Sequence, residues 1–180
     1  TAEFTKLPIV KKDGFDFIAG TQLIDGKVFC STDKNFFILD PKNGNVVSSV
    51  PVSKEKVGDA WKMYYFHKQN KIILNCEKGV VKIDPVAVKT EGVLKTPTMA
   101  YYPASYEMKA DDLYSDYALF TDGNAADGKF KEFAAIDLDK MVIRGLEGGA
   151  LLFYDIPHFS EGAEMFYKVD GSEIKFYSVK

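Results

Sequence analysis

One strand-turn-aspartate pattern is written into this chain several times. Val28-Phe29-Cys30-Ser31-Thr32 leads to Phe36-Phe37-Ile38-Leu39-Asp40-Pro41, then to Asn43-Gly44 and Val46-Val47. Ile72-Ile73-Leu74-Asn75-Cys76 leads to Val80-Val81-Lys82-Ile83-Asp84-Pro85 and on to Val93-Leu94. A looser version joins Ala118-Leu119-Phe120-Thr121, Phe133-Ala134-Ala135-Ile136-Asp137-Leu138 and Met141-Val142-Ile143. A partial one joins Met165-Phe166-Tyr167-Lys168 to Ile174-Lys175-Phe176-Tyr177. Asp40, Asp84 and Asp137 are 44 and 53 residues apart. Periods of that size mark β-units that stack on one another because none can bury its apolar face alone. The units speak to architecture and carry no chemistry.

Turn chemistry separates the strands. Asp25-Gly26 between apolar runs is a hairpin signal, since glycine supplies the positive φ the turn needs. In Asp40-Pro41-Lys42-Asn43-Gly44 the proline presets φ and the glycine releases the chain. Asp170-Gly171 reads as the last hairpin. Val86 and Val88 keep a strand spacing, and the segment from Met99 to Met108 reads as irregular or as an edge strand around Pro103. The stretch Lys109 to Asp116 is one helical turn or a loop, Gly145 to Gly149 a tight turn, Ala150 to Tyr154 a strand, and Ile156 to Gly162 a loop. No window sustains helical spacing. The expectation is an all-β protein of roughly twelve to fourteen short strands.

Composition bounds the rest. A chain of 180 residues fits one domain over 1–180, and 14% aromatic residues suit pleated surfaces. No apolar run approaches the roughly 20 residues of a membrane helix. The net charge of −3 and the scattered basic residues make a poor footprint for nucleic acid. Arg144 is the only arginine among 23 basic residues, which excludes a multi-arginine phosphate site. Cys30 and Cys76 fall at similar places in the first two units, where they either pair in an oxidising compartment or stay as two buried thiols. The sequence opens at Thr1 without a methionine, which reads as a processed secreted or periplasmic protein or as a piece of a longer one.

The run Phe36-Phe37-Ile38-Leu39-Asp40-Pro41-Lys42-Asn43-Gly44-Asn45-Val46-Val47 resembles the blade signature of quinoprotein-like β-propellers. In those blades a strand ends in a hydrophobic-Asp-Pro triplet, a glycine turn follows, and the next strand opens with valines. Ile83-Asp84-Pro85 keeps the triplet without the glycine, and Ile136-Asp137-Leu138 replaces the proline. The tryptophan that commonly follows the turn is absent, and no cofactor site is carried over. The resemblance implies a propeller-like array of about four antiparallel blades, closed or an arc of a larger ring. A β-sandwich or β-barrel is the structural alternative.

Candidate chemistry is sparse. His158, among Phe153, Tyr154, Asp155 and Phe159, is the better catalytic candidate of the two histidines, and His67 reads as a solvated turn residue. Asp112 and Asp116, with Asp111, offer carboxylates for glycoside chemistry, although an acidic loop needs none. Asp122, Asn124 and Asp127 place oxygens for calcium but depart from the calcium-loop spacing, and turn residues explain them equally. Trp61, Tyr101, Tyr102 and Tyr106 offer aromatic contact surface for a protein or carbohydrate ligand. The reading is an exported binding module without cofactor, recognising its ligand through connector loops. Alternatives are a carbohydrate-acting hydrolase or lyase using the loop carboxylates, and a structural subunit whose open edges pair with copies of itself.

Overall fold

The computed structural model describes residues 18–32, 35–51, 57–95, 101–102, 110–122, 133–147 and 157–180. Among these, fifteen strands form antiparallel meanders. The first meander is β1 (Ile18–Ile24), β2 (Lys27–Thr32), β3 (Asn35–Leu39) and β4 (Val46–Pro51). The second is β5 (Ala60–Phe66), β6 (Lys71–Cys76), β7 (Gly79–Asp84) and β8 (Lys89–Lys95). The third is β9 (Tyr101–Tyr102), β10 (Tyr117–Asp122), β11 (Phe133–Asp137) and β12 (Val142–Glu147), with a 3-10 turn, Ala110–Tyr114, ahead of β10. A three-stranded meander, β13 (His158–Ser160), β14 (Met165–Asp170) and β15 (Glu173–Val179), joins the third by pairing the ends of β12 and β15. The all-β expectation holds. Among the described residues no helix is long and apolar enough to cross a membrane.

Alternation within each strand decides what packs where, because successive side chains point to opposite faces. Phe29, Phe36 and Ile38 face Met63, Ile72, Leu74, Val81 and Ile83 of the second meander. Gly20 lets β1 approach β5, since a Cβ there would lie 2.9 Å from that of Met63. The other face of the second meander carries Phe66, Ile73 and Val80 onto Ile136 and Leu138 of the third. The third meander turns Leu119 and Ala135 to Phe159, Phe166 and Tyr177 of the fourth. Successive meanders therefore share buried apolar clusters in chain order.

The recurring aspartates build turns. Asp40 Oδ1 accepts the Lys42 amide at 2.8 Å, Asp84 Oδ1 those of Val86 and Ala87 at 2.7 and 2.9 Å, and Asp137 Oδ1 those of Asp139 and Lys140 at 3.1 and 2.9 Å. The Ala87 amide, the Lys71 ammonium and the Val86 amide hold the Asp84 carboxyl far below the ordinary carboxylate range. Four residues after each aspartate the chain turns left-handed, at Gly44 (φ 72), Val88 (φ 52) and Met141 (φ 53). Glycine adopts that conformation freely and L side chains resist it.

Several expectations need correction. Val86 and Val88 lie in a turn, with strand β8 starting only at Lys89, because Asp84 captures the two amides that a strand would need. Gly145 is no turn residue: it pairs with Ala134 inside β12. Residues 156–162 are not simply a loop, for they contain β13. Cys30 and Cys76 are free thiols, one among Phe37 and Leu39 and the other in the core between the first two meanders. The strand expected at 150–154 lies outside the described residues.

Candidate functional site

Turns from the second, third and fourth meanders meet around the 3-10 turn. The His67 amide, in the turn after β5, donates to the Leu113 carbonyl at 2.9 Å. That bond brings the His67 ring over Tyr114, with centroids 4.8 Å apart and planes 17° from parallel. Tyr65 meets the other side of His67 edge-on at 4.7 Å, and its hydroxyl donates to Asn70 Oδ1 at 2.8 Å. Burial, with the negative charge of Asp25 behind it, pushes the Tyr65 phenol up. Both Tyr114 and His67 are exposed, so the stack presents its rings to solvent.

Charged groups frame this stack. Lys68 Nζ donates to Asp116 Oδ2 at 2.6 Å, and Gln69 Nε2 to Asp116 Oδ1 at 3.2 Å. Its bond to Asp116, with the further charges of Glu164 and Glu161, raises the Lys68 ammonium above its usual range. The Asp116 carbonyl in turn accepts the Leu138 amide at 3.0 Å.

On the other side of the 3-10 turn stands His158. Its Nδ1 lies 3.1 Å from Asp112 Oδ2, while Asp112 Oδ1 accepts the Phe159 amide at 2.6 Å. Asp112 is buried and His158 is largely so. With the proton on Nδ1, the imidazole leaves Nε2 as an acceptor. Among the described residues no hydroxyl or thiol hydrogen-bonds His158; its ring neighbour is Tyr167, with centroids 6.5 Å apart. Thus both histidines of the chain flank one short turn.

The sequence candidates scatter relative to this centre. Asp112, Asp116 and His158 converge on it, but the two carboxylates serve different partners. Trp61 is exposed at the start of β5, six residues and about 20 Å of strand from His67. Tyr101 and Tyr102 form β9, whose backbone pairs with Asp122 and Thr121. Tyr106, Asn124 and Asp127 lie outside the described residues. His67 and Tyr114 went unmarked in the sequence, because His67 looked like an ordinary turn residue and Tyr114 sat inside an acidic run. The signal available was the unusual content of two aromatic rings in otherwise polar turns.

Comparison with solved structures places the fold. The chain matches the extracellular domain of BT4673 from B. thetaiotaomicron, described as a one component system, over 91% of its own length and 20% of that chain. Identity there is 11% and the TM-score 0.52. Hsv2 of Kluyvelomyces marxianus is matched over 86% of this chain and 45% of that one, at 10% identity and a TM-score of 0.42. Myxococcus xanthus glutaminyl cyclase is matched over 93% and 75%, at 13% identity and a TM-score of 0.37. No protein-family model matches the chain, and no curated protein matches it. The first likeness is one of fold, and this chain spans only a fifth of that protein's chain.

Proposed function

We propose that the chain is a propeller-like array of repeated β-meanders, an arc of blades, that works as an exported binding module. Its ligand is a protein or a carbohydrate, held by the connector loops at the end where His67, Tyr114 and Tyr65 gather. The observation that carries this reading is the exposed His67–Tyr114 stack, fixed from below by the His67 amide on the Leu113 carbonyl. Rigid aromatic faces give large contact area at little entropic cost, and loops on a stacked scaffold are where binding residues collect. Lys68 and its partner Asp116 supply polar groups beside the rings. The aspartates at matching corners and the apolar clusters shared by successive meanders favour the array, and the extracellular neighbour of similar fold favours export.

The test is a titration followed by NMR, using a mixture of plant and bacterial polysaccharide fragments and, separately, a peptide library. Ligand-induced shifts centred on Tyr65, His67 and Tyr114 are expected. Shifts centred on Trp61, with the stack unmoved, would reject this site.

The Asp112–His158 pair favours a second reading, a carbohydrate-acting hydrolase or lyase using Asp112, Asp116 and His158. A buried carboxylate orienting an imidazole is a recurrent general-base arrangement. Reducing-end release from the same polysaccharides, abolished by His158→Gln, would support it. Equal release by both proteins would dismiss it.

A further inference from the structure

Asn43-Gly44 is the one Asn-Gly pair in the chain, and it stands in the corner between β3 and β4. The turn itself does not require the pair. After Asp84 and Asp137 the left-handed position that Gly44 fills is taken by Val88 and Met141, and neither follows an asparagine. Glycine matters to the asparagine before it because, with no Cβ, its nitrogen can swing onto the neighbouring side-chain amide. In that reaction the Gly44 nitrogen gives its proton to water and bonds to Asn43 Cγ, closing a five-membered succinimide. The Cγ–Nδ2 bond breaks, and the nitrogen takes up a proton and leaves as ammonia. Water then opens the ring at either carbonyl, which leaves aspartate or isoaspartate at position 43. One water is consumed and one ammonia released, and the step needs no other reactant.

The folded corner holds every group of this reaction in another bond. The Gly44 amide donates to the Asp40 carbonyl at 2.7 Å, and Gly44 is buried, so its proton is kept from a base. Asn43 Nδ2 donates to Asp40 Oδ2 at 3.1 Å, while Asn43 Oδ1 accepts the Asn45 amide at 2.9 Å. The side-chain amide is thus pinned at both ends, and it cannot turn its carbon to the nitrogen without losing these bonds. Ring closure needs that alignment, as any intramolecular attack does. We propose that Asn43 is a self-modification site gated by Asp40, spared while the corner is shut and deamidated when it opens. The product then keeps the corner open. Deamidation turns the donor that faces Asp40 Oδ2 into a second carboxylate, and two like charges at that distance repel. Isoaspartate also adds a methylene to the main chain inside the loop that the Asp40 amide closes on the Asn45 carbonyl at 2.9 Å. The first meander therefore loosens one way only, at the start of the β3–β4 pairing.

Peptide mapping by mass spectrometry of the full chain, aged at pH 8, locates the reaction. The amide-to-acid mass gain should collect at Asn43, at least about tenfold faster in urea than in buffer, because opening limits the native rate. Asp40→Ala removes the bonds to Asn43 and Lys42, and it should raise the native rate several-fold with the strand signal in circular dichroism retained. A second comparison needs no variant: urea below the unfolding midpoint should speed Asn43 deamidation and hydrogen exchange of the Gly44 amide in parallel. A native rate equal to that in urea would overturn the inference. So would deamidation that ignores the Gly44 exchange rate, or a folded Asp40→Ala protein that ages no faster than the wild type.

Discussion

Lys82 on β7 donates its Nζ to the Leu138 carbonyl at 2.8 Å, so a buried lysine fastens the second meander to the third. The Asp139 carbonyl accepts from the same nitrogen at 3.2 Å. Both acceptors sit in the turn after β11, the turn organised by Asp137. Lys82→Met keeps the volume and removes both donors. It should cost about 2 kcal/mol, the order of leaving buried carbonyls unpaired. Urea unfolding should show a lower midpoint with an unchanged slope, meaning that stability has changed while the fold persists.

Asp112 does for β13 what pattern alone does not. Its carboxylate receives the Phe159 amide and faces the His158 ring, which aligns a three-residue strand against β14. Asp112→Ala should destabilise the protein by roughly 2–3 kcal/mol and speed hydrogen exchange at the Phe159 amide at least tenfold. Unchanged exchange there would show that β13 is held by β14 alone.

The left-handed turn at Val88 gives an inverted substitution order. Val88 is partly buried against the core while its φ is 52°. Packing therefore offsets backbone strain at this position. Val88→Ala loses the packing and keeps the strain; Val88→Gly loses the packing and relieves it. The glycine variant should be about 1 kcal/mol more stable than the alanine variant, opposite to the ordinary order in a strand or helix. Thermal unfolding of the two variants measures it.

The two thiols should be silent. Burial pushes the Cys76 thiol up to about 12, with the charges of Asp59 and Glu77 adding to it, and burial raises Cys30 as well. Native protein should react with a thiol reagent at pH 8 only at the rate at which it opens, and both thiols should react at once in urea. A folded-state pKa above the unfolded value gives stability that is complete below about pH 8.5 and declines as pH rises towards 12, because only the unfolded chain then releases the proton. Cys76→Ser should flatten that alkaline decline.

Much of the fold was legible and little of the site. Asp40, Asp84 and Asp137 announced themselves because an aspartate after an apolar strand has one local job, to collect the amides of the following turn. The apolar alternation of β2, β3, β6 and β7 was equally plain. Val88 and Met141 misled, since the turn they occupy is set by the aspartate four residues earlier and not by their own propensity. β13 was hidden because its alignment comes from Asp112, 47 residues away from Phe159. The His67–Tyr114 stack was hidden for the same reason: a contact between two separate turns leaves no period to read.

The exposed stack of His67 on Tyr114 is the proposed recognition surface. Its most direct test compares the wild-type chain with Tyr114→Ala on one array carrying both glycans and peptides. The wild type should bind at least one class, and Tyr114→Ala should lose tenfold or more of that binding while melting within a few degrees of the wild type. An identical binding profile for the two proteins would contradict it.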